Sequence, residues 1–131
     1  MMKTVEVVAA LILLDESILI AQRQKGEFSG MWEFPGGKIE SGESHEEALK
    51  REIHEELNLP IIVDDFLTTV EFDYPNFHLI MHCYFCTPLK STFTNLEHSD
   101  VKFVPLNELV NQVWIPADVE VVTKILINTG N

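Results

Sequence analysis

Two runs of this 131-residue chain carry residue types and spacing suited to chemistry. The first is Gly36-Gly37-Lys38-Ile39-Glu40-Ser41-Gly42-Glu43, and the second is Arg51-Glu52-Ile53-His54-Glu55-Glu56-Leu57. A helix turns about 100° per residue, so Glu52, Glu55 and Glu56, at i, i+3 and i+4, share a face. Glu43 stands just ahead of that helix. Crowded carboxylates repel one another and call for a counter-charge. Hard cations such as Mg²⁺ and Mn²⁺ seek oxygen-rich sites of this kind. Magnesium commonly travels with phosphate groups, so the cluster reads as a site for phosphoryl chemistry. An acidic helix face alone is more often merely solvated; the glycine-rich run, Glu43 and Arg51 tip the balance toward function.

The spacing resembles the Nudix box: a glycine, five residues, a glutamate, seven residues, then Arg-Glu-aliphatic-x-Glu-Glu-x-Gly-aliphatic. Gly37, Glu43, Arg51, Glu52, Ile53, Glu55, Glu56 and Leu59 match. Asn58 stands where the family has glycine, at a position following the helix end, where asparagine is the usual second choice for a left-handed residue. The similarity extends, more loosely, over most of the chain. Trp32-Glu33-Phe34-Pro35-Gly36-Gly37-Lys38-Ile39-Glu40 and Pro116-Ala117-Asp118 are like segments of the MutT branch, which includes 8-oxo-dGTP diphosphatases and CTP pyrophosphohydrolases.

That resemblance implies a Mg²⁺-dependent hydrolase, with Mn²⁺ as a substitute, that splits nucleoside triphosphates into monophosphate and pyrophosphate. It implies metal ligands in the Gly36 carbonyl, Glu52, Glu55 and Glu56. Arg51, four residues from both Glu47 and Glu55, would orient a glutamate. The general base is either Glu52 or Glu97, the latter in the loop before the strand Lys102–Val104. Arg23, Phe34 and Asp118 would contact the nucleotide; Lys38 would meet a phosphate or stand exposed. An ionised Asp118 accepts hydrogen bonds only, which suits the amino groups of guanine and cytosine. It could equally cap the last helix. Where this chain has Phe77, MutT carries an arginine. Oxidised purine nucleotides, 8-oxo-dGTP foremost, lead as substrates, with CTP or a modified dCTP second. A non-catalytic Nudix module and an adenine-glycosylase recognition domain are rivals that predict degraded box glutamates; this chain keeps all four.

Composition agrees. Hydrophobic and charged fractions of 46% and 23% are those of a globular protein, but the net charge of −12 is unusually acidic. It argues against nucleic-acid and anionic-membrane partners, both of which need basic patches. A small polyanionic nucleotide fits only if cations accompany it. Val5–Leu14 is apolar but too short to span a bilayer and is interrupted by Glu6. A cytoplasmic monomer, folded as a single domain over 1–131, is expected. Cys83 and Cys86 lie three apart in a strand-like run, facing opposite ways, and read as buried thiols.

The elements that must position these residues follow from periodicity. Val5–Leu14, Ile18–Arg23, Ile61–Val63, Thr68–Tyr74, Phe77–Thr87 and Lys102–Val104 read as strands, with Trp32–Phe34 a short extended piece and Gly36–Gly42 a turn. Ser44-His45-Glu46-Glu47 is a capping box that starts a helix with Leu49, Ile53 and Leu57 as its buried stripe. Leu106–Val110 reads as a short helix. Asp118–Asn128 reads as the final one, with Val119, Val122, Ile125 and Leu126 apolar. The fold class is α/β, a mixed sheet sandwiched between α-helices.

Overall fold

A computed structural model describes residues 2–130; residues 1 and 131 lie outside the described residues. Along the chain come β1 (Lys3–Leu14), β2 (Ser17–Gln22), β3 (Trp32–Glu33), β4 (Gly36–Lys38), α1 (His45–Leu57), β5 (Ile61–Tyr74), β6 (Phe77–Pro88), β7 (Asp100–Pro105), a 3₁₀ turn (Leu106–Asn111) and α2 (Pro116–Thr129). The sheet order is β3-β2-β1-β6-β5, with β4 paired to β1 and β7 to β2. β1 and β6 run parallel, from Lys3 opposite Phe77 to Ile12 opposite Cys86. The remaining strand pairs are antiparallel.

Strand alternation divides the apolar residues between two layers. Val8, Ala10 and Ile12 of β1 pack with Ala48, Leu49, Ile53 and Leu57 of α1. Ala9 and Leu11 point the other way, toward Val121, Val122 and Ile125 of α2. The predicted α1 stripe is fully buried. On α2 the buried face is Ala117, Val121, Val122 and Ile125, whereas Val119 is exposed. Cys83 sits in one layer and Cys86 in the other; both are free thiols. Among the described residues, no helix is long and apolar enough to cross a membrane.

Three local readings are corrected. Gly36–Lys38 is a strand, paired with Val7–Ala9, rather than a turn; without side chains, its glycines show no alternation to read. Ile61–Tyr74 is one strand, because the break between its halves is bulged, with register shifts between Val63 and Phe66 and between Phe66 and Thr68. The last helix starts at Pro116, where a missing N–H costs nothing, and Ile115 is its cap residue. Asp118 therefore lies in the first turn of the helix, and its Oδ2 accepts the Phe34 N–H instead of capping the helix.

The start and stop of α1 are local. Ser44 Oγ accepts from the Glu47 N–H at 3.1 Å, and Glu47 Oε1 accepts from the Ser44 N–H at 2.9 Å. At the other end Asn58 is left-handed (φ 48°), and its N–H donates to the His54 carbonyl at 2.9 Å. A side chain with a Cβ costs about 1–2 kcal/mol there, and asparagine pays the least of the non-glycine residues. In urea denaturation Asn58→Ala should destabilise the protein by about 1 kcal/mol, while Asn58→Gly stays within about 0.5 kcal/mol of the parent. Equal losses for the two would show that the left-handed backbone does not set the residue choice.

Candidate active site

Packing of Leu49, Ile53 and Leu57 against the sheet sets the rotational phase of α1, which places Glu52 against Gly37 of β4 and Glu56 in the cavity with Gly36. The strand admits them because it is built of glycine. A Cβ at Gly37 would run into the Glu52 carboxylate, and one at Gly36 into the Val8 carbonyl of β1. At Gly36 the obstacle is backbone, so glycine is required there; at Gly37 it is the tip of the Glu52 side chain, which a Cβ would displace.

Arg51 organises the carboxylates. Its Nε and Nη2 grip Glu43 at 2.6 and 2.9 Å. Its Nη1 reaches Glu52 at 2.9 Å, Glu55 at 3.2 Å and Glu40 at 3.3 Å. Nη2 also donates to the Lys38 carbonyl at 3.0 Å. Glu47, the other residue at helical spacing, is occupied in the capping box. The Arg51 hydrogen bonds hold the Glu43 carboxyl down at about 2. The guanidinium's own pKa rises in turn, chiefly through Glu43.

Glu56 lies deeper, 3% exposed. Its Oε2 has no hydrogen-bond partner. Burial, first, and then the neighbouring Glu52 and Glu97 carboxylates push its pKa well above the carboxylate range. Glu97 arrives from the β6–β7 loop, which is tied to the spare carbonyls at the end of α1. The Thr94 N–H donates to the Leu57 carbonyl at 2.8 Å and the Leu96 N–H to the Glu56 carbonyl at 2.9 Å. Asn95 Oδ1 then accepts the N–H groups of Glu97 and His98. His98 is swung inward, its Nε2 3.4 Å from Glu56 and 3.8 Å from Glu33. Burial pushes the His98 pKa down. Glu56, Glu97 and His98 each offer one donor atom within 4.8 Å of the others. A buried, partnerless carboxylate oxygen among like charges is what a divalent cation fits.

Two cavities meet at this point. The acidic one, about 440 Å³, is lined by Gly36, Glu56, Glu97 and His98 together with Arg23, Glu33 and Phe34. The apolar one, about 260 Å³, shares Arg23, Glu33, Phe34 and Gly36, and adds Phe28, Tyr74, Phe77 and Asp118. Tyr74 and Phe77 stack with centroids 5.1 Å apart. Asp118 is 4% exposed, and its Oδ2 accepts the Phe34 N–H at 3.0 Å. That contact is set by the pairing of the 113–115 segment with β3: the Trp32 N–H donates to the Val113 carbonyl and the Ile115 N–H to that of Trp32. The Phe34 ring stacks on Trp114 at 4.9 Å.

The structure therefore brings Arg23, Phe34, Gly36, Glu56, Glu97 and Asp118 to the two cavities. Glu52 lies behind, against Gly37, and Glu55 lies at the exposed rim beside Arg51. The Lys38 side chain is exposed and lines neither cavity. Sequence reading missed Glu33, whose carboxylate pairs with Arg23 at 2.7 Å. It also missed the aromatic wall of Phe28 and Tyr74, and the inward His98. Glu33 had one signal: it alternates between the buried Trp32 and Phe34 in an extended segment.

With the geometry in place, comparison with known proteins is informative. The NUDIX domain family matches residues 3–125. A CTP pyrophosphohydrolase of Escherichia coli K12 is 34% identical over 119 residues, covering 90% of this chain and 88% of that protein. An 8-oxo-dGTP diphosphatase of Proteus vulgaris is 37% identical over 95 residues, covering 70% and 85%. The solution structure of a MutT protein from methicillin-resistant Staphylococcus aureus 252 aligns with a TM-score of 0.75 at 38% identity, covering 98% and 99%.

Asp118 makes the site sensitive to pH. Burial pushes its carboxyl from 3.8 up to about 7, against the Phe34 hydrogen bond, which opposes the rise. A raised pKa means that its contribution to stability is complete below 3.8 and is lost as pH climbs through about 7. The melting-temperature gap between Asp118→Asn and the parent should therefore widen in favour of the variant from about pH 4 to about pH 7, then level off. A gap independent of pH would show that the carboxyl ionises as it does in the unfolded chain.

Proposed function

The chain belongs to the NUDIX family of hydrolases, and on that premise we propose that it converts nucleoside triphosphates to monophosphate and pyrophosphate, with 8-oxo-dGTP the leading substrate. The observation that carries this reading is the junction at Gly36 of an aromatic-walled cavity containing Asp118 with an acidic cavity containing Glu56 and Glu97. A base and a phosphate chain need those two environments side by side. The charge of −12 supports a free nucleotide as partner, rather than nucleic acid or membrane, and a cytoplasmic monomer acting alone.

Glu52, Glu56 and the Gly36 carbonyl, with Glu55 at the rim, are the groups that would hold Mg²⁺, or Mn²⁺ in its place. The partnerless Oε2 of Glu56 is the observation that fits a cation there. When bound, Mg²⁺ neutralises phosphate charge and lowers the pKa of the attacking water. Glu97 takes the proton from that water. Its side chain is 65% exposed and lines the acidic cavity, so it is reachable from there. Glu52 is already engaged, with the Arg51 guanidinium 2.9 Å from its Oε1, and it lines neither cavity. Arg51 orients Glu52 and Glu43 without touching substrate.

In the apolar cavity the Phe34 N–H occupies Asp118 Oδ2, which leaves the other oxygen for the base. An acceptor there takes the amino group of guanine or of cytosine, whereas uracil and thymine offer a lone N–H between carbonyls. Arg23, held by Glu33 at the junction of the two cavities, faces the sugar and phosphates. Lys38 has no part in this scheme. A second reading, CTP or a modified dCTP, is favoured by the relative named a CTP pyrophosphohydrolase, which aligns over 90% of this chain.

Hydrolysis of a nucleotide panel in ¹⁸O water tests the proposal. Label should enter the monophosphate and not the pyrophosphate, and chelation should abolish turnover. Glu52→Gln and Glu56→Gln should each lose several orders of magnitude in kcat while remaining folded. Glu97→Gln should lose about 10²–10⁴ with little change in KM. Labelled pyrophosphate, released orthophosphate, or near-normal turnover in Glu56→Gln would contradict the assignment.

A further inference from the structure

The layer between the sheet and α1 ends in ionisable side chains where its strand pattern calls for apolar ones. Val8, Ala10 and Ile12 of β1 face that layer, and Glu6 occupies the preceding position of the same face. Tyr84 and Cys86 of β6 face it too, and His82 precedes them. His45, the first residue of α1, closes the group. His82 Nε2 lies 2.6 Å from Glu6 Oε2. The His45 and His82 rings stack with centroids 4.3 Å apart. One donor atom from each of Glu6, His45 and His82 lies within 4.8 Å of the other two.

Both imidazoles are oriented by hydroxyl groups on their Nδ1 atoms. Thr69 Oγ1 lies 2.8 Å from His82 Nδ1, and Tyr84 Oη lies 2.7 Å from His45 Nδ1. This is the arrangement that fixes a metal-binding histidine, with one ring nitrogen tied to a neighbour and Nε2 left to bind. Nε2 of His45 has no partner among the described residues, and Nε2 of His82 has only the carboxylate of the triad. Burial, and then the charge of His82, push the His45 pKa down, against the opposing effect of Glu6. Glu6 is exposed, so a cation has a way in.

We propose that Glu6, His45 and His82 form a second metal site, separate from the carboxylate cluster, for a borderline-soft dication of the Zn²⁺ class. Two imidazoles and one carboxylate are a zinc donor set that leaves a fourth position for water. Mg²⁺ prefers oxygen donors throughout, so the two sites differ in selectivity. Occupancy would cross-link the first turn of the acidic helix to β1 and β6.

The test uses the full chain carrying Glu56→Gln, which removes the buried ligand of the other cluster, titrated calorimetrically with Zn²⁺ in excess Mg²⁺. One equivalent of Zn²⁺ should bind and raise the melting temperature. Imidazole ¹⁵N signals of His45 and His82 should shift, while those of His54 and His78 stay in place. Adding His45→Gln or His82→Gln should abolish binding. Tyr84→Phe should weaken it about 10–100-fold by releasing the His45 ring, and circular dichroism should show each variant folded. The proposal is overturned if the Glu56→Gln chain binds no Zn²⁺, if binding survives both histidine substitutions, or if the other histidines shift instead. None of these outcomes bears on the hydrolytic reading.

Discussion

One guanidinium holds the acidic face of α1 in place. Arg51 reaches Glu40, Glu43, Glu52 and Glu55 within 4 Å and also ties down the Lys38 carbonyl. Exposed ion pairs contribute little to stability, typically about 0.2–1 kcal/mol each. The value of this network lies in geometry. A planar fork that binds Glu43 bidentately leaves one remaining nitrogen to fix the Glu52 carboxylate against Gly37. That in turn accounts for Gly37 and for the arginine at the head of the run, because neither a Cβ nor a flexible ammonium would keep the same distances.

Glu56 is the converse case. Among the described residues no lysine or arginine pairs with it; Glu52, Glu97 and the His98 ring face it, and burial removes water. Burial and these carboxylates together push its pKa up, toward the protonated form. Such strain persists because the surroundings over-determine it. α1 is packed through Leu49, Ile53 and Leu57, and the loop carrying Glu97 is bonded to the carbonyls at the end of α1. The site is thus an acidic helix face with two solutions to the same repulsion. An internal cation serves the outer carboxylates, and protonation or an external cation serves the inner one.

What was legible in the sequence was local. The capping box, the buried stripe of α1 and the left-handed Asn58 are each decided within a turn or two of chain, and they fall where periodicity and cap chemistry put them. The box glutamates were legible because their spacing is helical. The rest depends on contacts distant in sequence. β4 hid because glycines carry no alternation, and β5 read as two strands because its bulges break the period. Asp118 looked like a cap until Pro116 and the pairing of Ile115 with β3 set the helix start. Glu33 showed locally only as the polar residue between Trp32 and Phe34, and its place in the site came from the pairing of β3 with β2; His98 joined through the Asn95 turn, which leaves no mark in the local pattern.

Burial and the neighbouring carboxylates favour the protonated form of Glu56, and a divalent cation bound there would replace that proton. Calorimetric titration with Mg²⁺ near pH 7, repeated in buffers of different ionisation enthalpy, counts protons released on binding. The account predicts release of about one proton in the parent protein and none in Glu56→Gln. Mg²⁺ binding without proton release in the parent would contradict it.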